Sequence, residues 1–372
     1  MINKKIALFL NDYTEKKSGG VVAVLAIIKN FTQKNVVIIT SEMGQQFCRQ
    51  EKMKTGYLIT TRERKINNVF FLYLKRLIKG LFILPKIKNQ DIFLASSDFF
   101  PNTIPIWIIK RLIPEKIWVQ HVFHLIPQDR KISYWLQALS LKLIKSRADL
   151  VVVDNSLLKK ALVKKGFEIK KIVVNYLGVD RRYLKKMAIK KIKYQGVFLG
   201  RLHPSKGIFD LVTIWRYVTD QKPRAKLVII GHGRKEMTQR LKKEINQKKL
   251  AKNIILTGYL EDDQVLETVR RSAVFVFPSH EEGFGLALLE AQACQKPVVA
   301  WNLPIFKEIF ERGMIRVPFL KNHLFAAQVV SLLDDRKYYC EIARQAKNNA
   351  RKYSWQKTAQ REWRAIEKLL ID

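Results

Sequence analysis

Residues Ser279 to Ala300 read SHEEGFGLALLEAQACQKPVVA and set Glu282 and Glu290 eight positions apart across a Gly-Phe-Gly turn. Just upstream, Ala273 to Ser279 (AVFVFPS) is short, apolar and rich in Val and Phe, the pattern of a fully buried strand ended by Pro278. Gly283 and Gly285 let the turn backbone approach a ligand closely, because glycine has no Cβ and tolerates positive φ. Leu286 to Cys294 (LALLEAQAC) are good helix formers, so a helix starts at or near Gly285. Strand, glycine turn and helix start together place unpaired backbone N–H groups and the positive end of a helix dipole at the carboxyl edge of a sheet. That is a site for phosphate. Two carboxylates beside a bound anion are suited to gripping hydroxyl groups rather than the anion itself. Phosphate and hydroxyls together suggest a nucleotide sugar.

Working outward, strands and helices alternate. KIALFL precedes VVAVLAIIKNF; NVVIIT, DIFLAS and KIWVQ follow, then a helix near Ser133 to Lys145, the strand DLVVV and a helix near Ser156 to Lys165. This alternation predicts an α/β fold with doubly wound, mostly parallel sheets. The basic stretch RRYLKKMAIKKIKYQ after Asp180 has no strand pattern and reads as an interdomain linker. Alternation restarts at GVFLG and runs to about Val330, and the pattern is helical from Asp334 onward. A length of 372 residues fits two domains of about 180 residues. The expected boundaries are 1–180, 181–355 and a terminal helical segment 356–372.

Cys48, Cys294 and Cys340 are widely separated, which argues against a disulfide framework or a zinc site and for a reducing cytoplasm. MINKKIALFL is too short in its apolar part for a signal peptide and reads as a first strand; no run is long enough to span a membrane. The net charge of +37 is spread over both halves, with 31 Lys and Arg against 13 Asp and Glu in residues 1–180. Such a charge implies an anionic partner, with a compositional bias toward Lys, Ile and Asn as the alternative that needs none. No RNA-recognition, zinc-finger or helix-turn-helix pattern accompanies it, so no specific nucleic acid is expected. Val69 to Leu84 (VFFLYLKRLIKGLFIL) puts Lys75, Arg76 and Lys79 on one helical face and Phe70, Leu74, Leu77, Leu81 and Leu84 on another. Trp135 to Arg147 repeats this design more weakly. Both are candidates for contact with an anionic membrane surface.

EGFGLALLEAQACQKPVVA resembles the signature of retaining glycosyltransferases of family 4, whose hallmark is two glutamates separated by seven residues. VFLGRLHPSKGIFDLV (Val197 to Val212), KLVIIGHGRKEMTQRL (Lys226 to Leu241) and NIILTGYLEDDQVLETVRRSAVFVFPS are similar to further family segments in order and spacing. KIALFLNDY…SGG and DLVVVDNSLLKKALVKKGF…KKIVVNYLGVD carry the weaker pattern of the first domain. The resemblance covers most of the chain. It implies the GT-B fold, two Rossmann-like doubly wound domains facing across a cleft, with the last helix crossing back to the first domain.

It also implies roles. Arg201 and Lys206, flanking a loop after the buried strand GVFLG, match the family's pyrophosphate residues. Two cations there would neutralise a diphosphate as it becomes the leaving group. Glu290 would accept hydrogen bonds from ribose hydroxyls, and Glu282 would contact the transferred sugar; Gly283, Phe284, Gly285 and Leu286 complete the donor-binding loop. Gly19 and Gly20 open a helix after the first strand and form a phosphate-approach or acceptor-side loop. His121 stands where the family often has a histidine beside the donor sugar, His124 is three residues on, and either fits; Asp98 lies on a strand-end loop suited to an acceptor. Gly231 and Gly233 read as a packing turn. Cys294-Gln295-Lys296-Pro297 and WNLPIFKEIF depart from the family's usual glycines, whereas Glu308 keeps a later acidic position.

The expected activity is transfer, with retention, from a UDP- or GDP-sugar to a lipid-linked glycan acceptor, for cell-surface polysaccharide or lipopolysaccharide synthesis. No metal or other cofactor is expected, and the location is the inner face of the cell membrane. The rivals are a soluble sugar-nucleotide enzyme of the same fold, of epimerase or synthase type, and a basic nucleic-acid-binding protein on an inactive scaffold.

Overall fold

The computed structural model describes residues 4–11, 18–31, 35–63, 69–184 and 191–371. The chain divides into two compact units, Met1–Gly178 with Trp355–Asp372, and Val179–Ser354.

The first unit contains β1 (Ile6–Leu10), α1 (Gly19–Lys29), β2 (Val36–Thr40), α2 (Glu42–Gln50), β3 (Gly56–Ile59), α3 (Val69–Ile87), β4 (Ile92–Ala95), α4 (Phe100–Leu112), β5 (Ile117–Val122), α5 (Lys131–Arg147), β6 (Leu150–Val153), α6 (Ser156–Lys164) and β7 (Ile172–Val174). Its strands pair in parallel in the order β3-β2-β1-β4-β5-β6-β7. β1, β4, β5 and β6 are buried at every position, which explains their unbroken apolar reading: helices cover both faces of the sheet. Strand order reverses between β1 and β4, so the loops carrying Gly19–Gly20 and Ser96–Asp98 leave the sheet side by side.

The second unit contains α7 (Arg181–Leu184), β8 (Tyr194–Leu199), α8 (Ile208–Gln221), β9 (Leu227–Ile230), α9 (Lys235–Gln247), β10 (Ile254–Gly258), α10 (Asp262–Arg270), β11 (Ser272–Phe277), α11 (Leu286–Ala293), β12 (Val298–Trp301), α12 (Pro304–Ile309), β13 (Met314–Val317), α13 (Asn322–Asp334) and α14 (Arg336–Ala350). Its parallel order is β10-β9-β8-β11-β12-β13. Here the reversal lies between β8 and β11, the strands that feed the Arg201–Lys206 loop and the Glu282 turn.

The expected linker is corrected in part. Its ends are ordered as α7 and as the start of β8, because Tyr183 buries its ring beside α11; positions 185–190 of that stretch lie outside the described residues. The last helix, α15 (Trp355–Lys368), returns to the first unit and packs on α1 and β6. Trp363 meets Phe31 edge-on at 5.5 Å, and Asn175 donates to the Thr358 carbonyl at 3.1 Å.

Candidate active site

The carboxyl ends of β8, β9 and β11 are braced against one another by backbone. Gly207, at φ +67°, lies so close to the Pro278 carbonyl that a Cβ would stand 1.8 Å from its oxygen, so only glycine closes this loop. Gly231 and Gly233 abut the backbone of Gly200 and Leu202. Ser205 O accepts from the backbone N–H of His280 at 2.9 Å and from Ser279 Oγ at 3.3 Å. The last residue of the short helical turn Pro204–Lys206 therefore points its side chain across at the next loop. Lys206 Nζ donates to Glu282 Oε1 at 2.9 Å and to the Glu281 carbonyl at 3.1 Å. The pair is only partly open to water, with side-chain exposures of 15% and 16%.

Gly285 is the N-cap of α11 at φ +96°, and no side chain caps the helix, so the helix start offers backbone N–H groups. A Cβ there would lie 2.8 Å from Leu288, which fixes glycine at this position. The Phe284 ring is buried and meets Tyr353 edge-on at 6.1 Å, so this residue offers the turn only its backbone. Gly283 and Leu286 are partly exposed beside it. Arg201 is exposed at the end of β8 and, among the described residues, its guanidinium makes no ion pair.

Glu290 sits in the second turn of α11 and is partly buried. Burial, reinforced by the negative charges of Asp262 and Asp180 and opposed by Arg182, pushes its carboxyl up to about 8. Lys296, at the departure from the usual glycine, donates to the Arg270 carbonyl at 2.8 Å, and burial pulls its ammonium down to about 8. Arg182 holds Asp180 and Asp263 at 3.0 and 3.1 Å. One pair escaped the sequence reading: His280 Nε2 lies 2.6 Å from Asp210 Oδ2 on the first turn of α8. His280 is visible inside the opening stretch, but nothing in sequence couples it to a residue 70 positions away.

In the first unit Gly19 and Gly20 open a helix as expected, whereas the side chains of His121 and Asp98 are enclosed. Ser18 caps α1 by accepting from Val21 N at 3.3 Å, and Gly19 and Gly20 are its first two residues. A Cβ on Gly20 would come within 3.1 Å of the Phe123 ring. His121, expected beside the donor sugar, is enclosed in β5. Its Nδ1 meets the Ala95 carbonyl at 3.0 Å and its Nε2 meets Glu362 Oε1 on α15 at 3.0 Å. A carbonyl only accepts, so Nδ1 donates to Ala95 and Nε2 faces the carboxylate. Asn175 donates to the other Glu362 oxygen at 3.1 Å. His121 is thus a core residue, and His124 is the imidazole exposed after β5. Asp98 lies on the loop after β4 as expected, but its side chain is buried and accepts from Gln137 Nε2 at 2.6 Å.

Arg76 departs most from expectation. It is 1% exposed, on the inner side of α3, and donates to the Asn11 carbonyl at 3.1 Å and to Thr61 Oγ1 at 3.3 Å. The strand-end carbonyl of Asn11 needs a donor, and Arg76 reaches it. The outer side of α3 then exposes Phe71, Leu74, Ile78 and Phe82 among Lys75, Lys79 and Lys86. On α5, Ile132, Trp135 and Leu139 are likewise exposed. No described helix is long and apolar enough to cross a membrane. Among the described residues no cluster of three or more His, Cys, Asp or Glu is placed to hold a metal ion.

The second unit thus sets the Lys206–Glu282 pair beside the N-terminus of the helix that carries Glu290. Residues 179–353 match the family model of glycosyl transferases group 1. The match spans the second unit almost end to end. The chain is 25% identical over 332 residues to an uncharacterized glycosyltransferase of Methanocaldococcus jannaschii, covering 82% of this chain and 81% of that protein. It is 23% identical over 340 residues to an uncharacterized 41.2 kDa protein in the cps region of Klebsiella pneumoniae, covering 86% of this chain and 87% of that one. Its fold is similar to that of Anabaena HepE, crystallised with UDP and glucose, at a TM-score of 0.82 and 17% identity over 98% of this chain and 99% of HepE. The two parallel, doubly wound sheets are those of the GT-B glycosyltransferases.

Proposed function

We propose that the protein is a retaining, metal-independent glycosyltransferase of family 4 that moves a sugar from a UDP- or GDP-sugar to a glycan carried on a lipid, in cell-surface polysaccharide or lipopolysaccharide synthesis. The observation that carries this reading is the Lys206–Glu282 pair at 2.9 Å, set beside the open N-terminus of α11 with Glu290 on the same helix. The α11 amides and Lys206, with Arg201, hold the diphosphate and neutralise its charge as it leaves. Glu290 accepts from the ribose hydroxyls, Glu282 from the transferred sugar. HepE's bound UDP and glucose make a UDP-sugar the first donor to test.

The reaction proceeds on the front face of the sugar. The bond from the anomeric carbon to the diphosphate oxygen breaks, and the acceptor oxygen bonds to the same face. The acceptor proton passes to the departing phosphate oxygen, so no carboxylate need act as nucleophile. The first unit binds the acceptor, with Gly19 and Gly20 on the substrate side and His124, rather than His121, as its accessible imidazole. The outer side of α3, where aromatic rings stand among lysines, supports attachment to an anionic leaflet on the cytoplasmic side.

The test is transfer or hydrolysis of UDP-, GDP- and ADP-sugars, with the product anomer read by NMR. At least one donor is expected to turn over with retention. Turnover that is unchanged in Glu282→Ala and Lys206→Ala would sink the site assignment.

A further inference from the structure

We propose that Lys206 is a positioning residue as well as a phosphate ligand: it holds the Glu282 carboxylate as its resident counter-ion in the empty site, coupling diphosphate capture to the grip on the sugar. This rests on reading the second unit as a nucleotide-sugar site.

An ammonium has three N–H donors. Two are engaged by the Glu281 carbonyl at 3.1 Å and by Glu282 Oε1 at 2.9 Å, which leaves the third for a phosphate oxygen. Glu282 in turn keeps Oε2 for a sugar hydroxyl. Neither partner is free to drift. Lys206 ends a turn locked where Gly207 abuts the Pro278 carbonyl, and Glu282 follows a loop tied to Ser205 O through the His280 N–H and Ser279 Oγ. The His280–Asp210 contact at 2.6 Å fastens the same loop to α8. Limited exposure of both charged groups keeps their attraction from being fully screened.

A lysine already neutralised by a carboxylate attracts an anion less than a bare one. A bound diphosphate must therefore share Lys206 with Glu282, and removing the carboxylate charge releases that share. Glu282 thus has effects of opposite sign on two ligands: it weakens binding of a diphosphate without sugar and strengthens productive binding of the sugar nucleotide. A glutamate that touched only the sugar would leave diphosphate affinity alone.

The experiment titrates the full-length protein with UDP, GDP and ADP, and with inorganic pyrophosphate as a base-free probe. Glu282→Gln is expected to bind the preferred nucleoside diphosphate roughly three- to tenfold more tightly than wild type, the range of one partly screened charge pair, while sugar transfer falls. In a Lys206→Met background the same substitution is expected to give no tightening. Lys206→Arg is expected to restore diphosphate affinity but not transfer, because a planar guanidinium cannot present its donors to the same three acceptors. Unchanged or weaker diphosphate binding by Glu282→Gln, with wild type binding normally, overturns the coupling alone. Failure of wild type to bind any of the probes overturns the nucleotide-sugar reading together with it.

Discussion

The carboxyl ends of the two sheets use polar residues in opposite ways. In the first unit, Asn11, Arg76, Asp98, His121 and Glu362 are buried and bonded to one another's neighbourhoods: arginine on a strand-end carbonyl, imidazole between a carbonyl and a carboxylate. In the second, Arg201, Lys206, Glu282 and Glu290 remain at least partly open around an uncapped helix start. Buried polar groups that satisfy each other fix a scaffold, whereas partly open charges on braced loops are available to a ligand. Substitutions in the first set should therefore act on stability, and those in the second on donor binding and turnover.

The largest effect is expected in the second unit. Lys206→Ala should lower turnover about 10²- to 10³-fold, the usual cost of losing one preorganised group that meets transition-state charge. Its melting temperature should hardly change, and steady-state kinetics beside a thermal melt check both parts. A comparable loss of turnover from His121→Asn in a fully folded protein would break the contrast.

The next effect belongs to the first unit. Glu362→Leu leaves His121 and Asn175 without their carboxylate in a fully buried place and should cost about 3 kcal/mol of stability by denaturant titration. Nucleotide affinity should be unchanged, since all three residues belong to the first unit.

The third prediction uses pH. The folded protein holds the Glu290 proton up to about 8, above the usual carboxyl value of 4.5, so burial of the charge costs little below that usual value and most above 8. Glu290→Gln removes this cost. Its stability relative to wild type should be near zero at low pH, rise across the window from 4.5 to 8 and level off above it. Affinity for a nucleotide sugar, whose diphosphate has no secondary ionisation there, should also rise through this window as Glu290 becomes an acceptor. Denaturant midpoints and calorimetric titrations at several pH values follow both trends.

The smallest effect concerns α3. Lys75→Glu with Lys79→Glu should abolish flotation with acidic liposomes, at about 1 kcal/mol for each lysine near the surface, without altering nucleotide affinity. Arg76 is no part of that surface, and its substitution should instead destabilise the fold.

How much was legible in sequence follows the same division. The strands AVFVFPS, GVFLG and DLVVV declare parallel sheets because both faces are buried, and the doubly wound class follows from their alternation with helices. The loops after β8 and β11 are legible because their determinants are local: Gly207 follows Lys206, and Gly285 opens the helix that carries Glu290. The first unit's network is not local. His121 meets a carboxylate 241 positions away and Arg76 a carbonyl 65 positions away, so a strand-end histidine read as chemistry and a helical arginine read as membrane-facing are both scaffold made by tertiary packing. The same limit hid the Asp210 partner of His280 and the packing of the Phe284 ring against Tyr353.

The most direct test of the account is calorimetric titration of UDP-, GDP- and ADP-sugars into wild type, Lys206→Ala and Glu362→Leu under conditions where all three are folded. The expected result is that one donor binds wild type and Glu362→Leu alike and binds Lys206→Ala at least about tenfold more weakly, as befits loss of a charged phosphate contact. Binding of every donor that is absent in wild type, or equal in Lys206→Ala, would contradict the assignment of the second unit's crevice as the donor site.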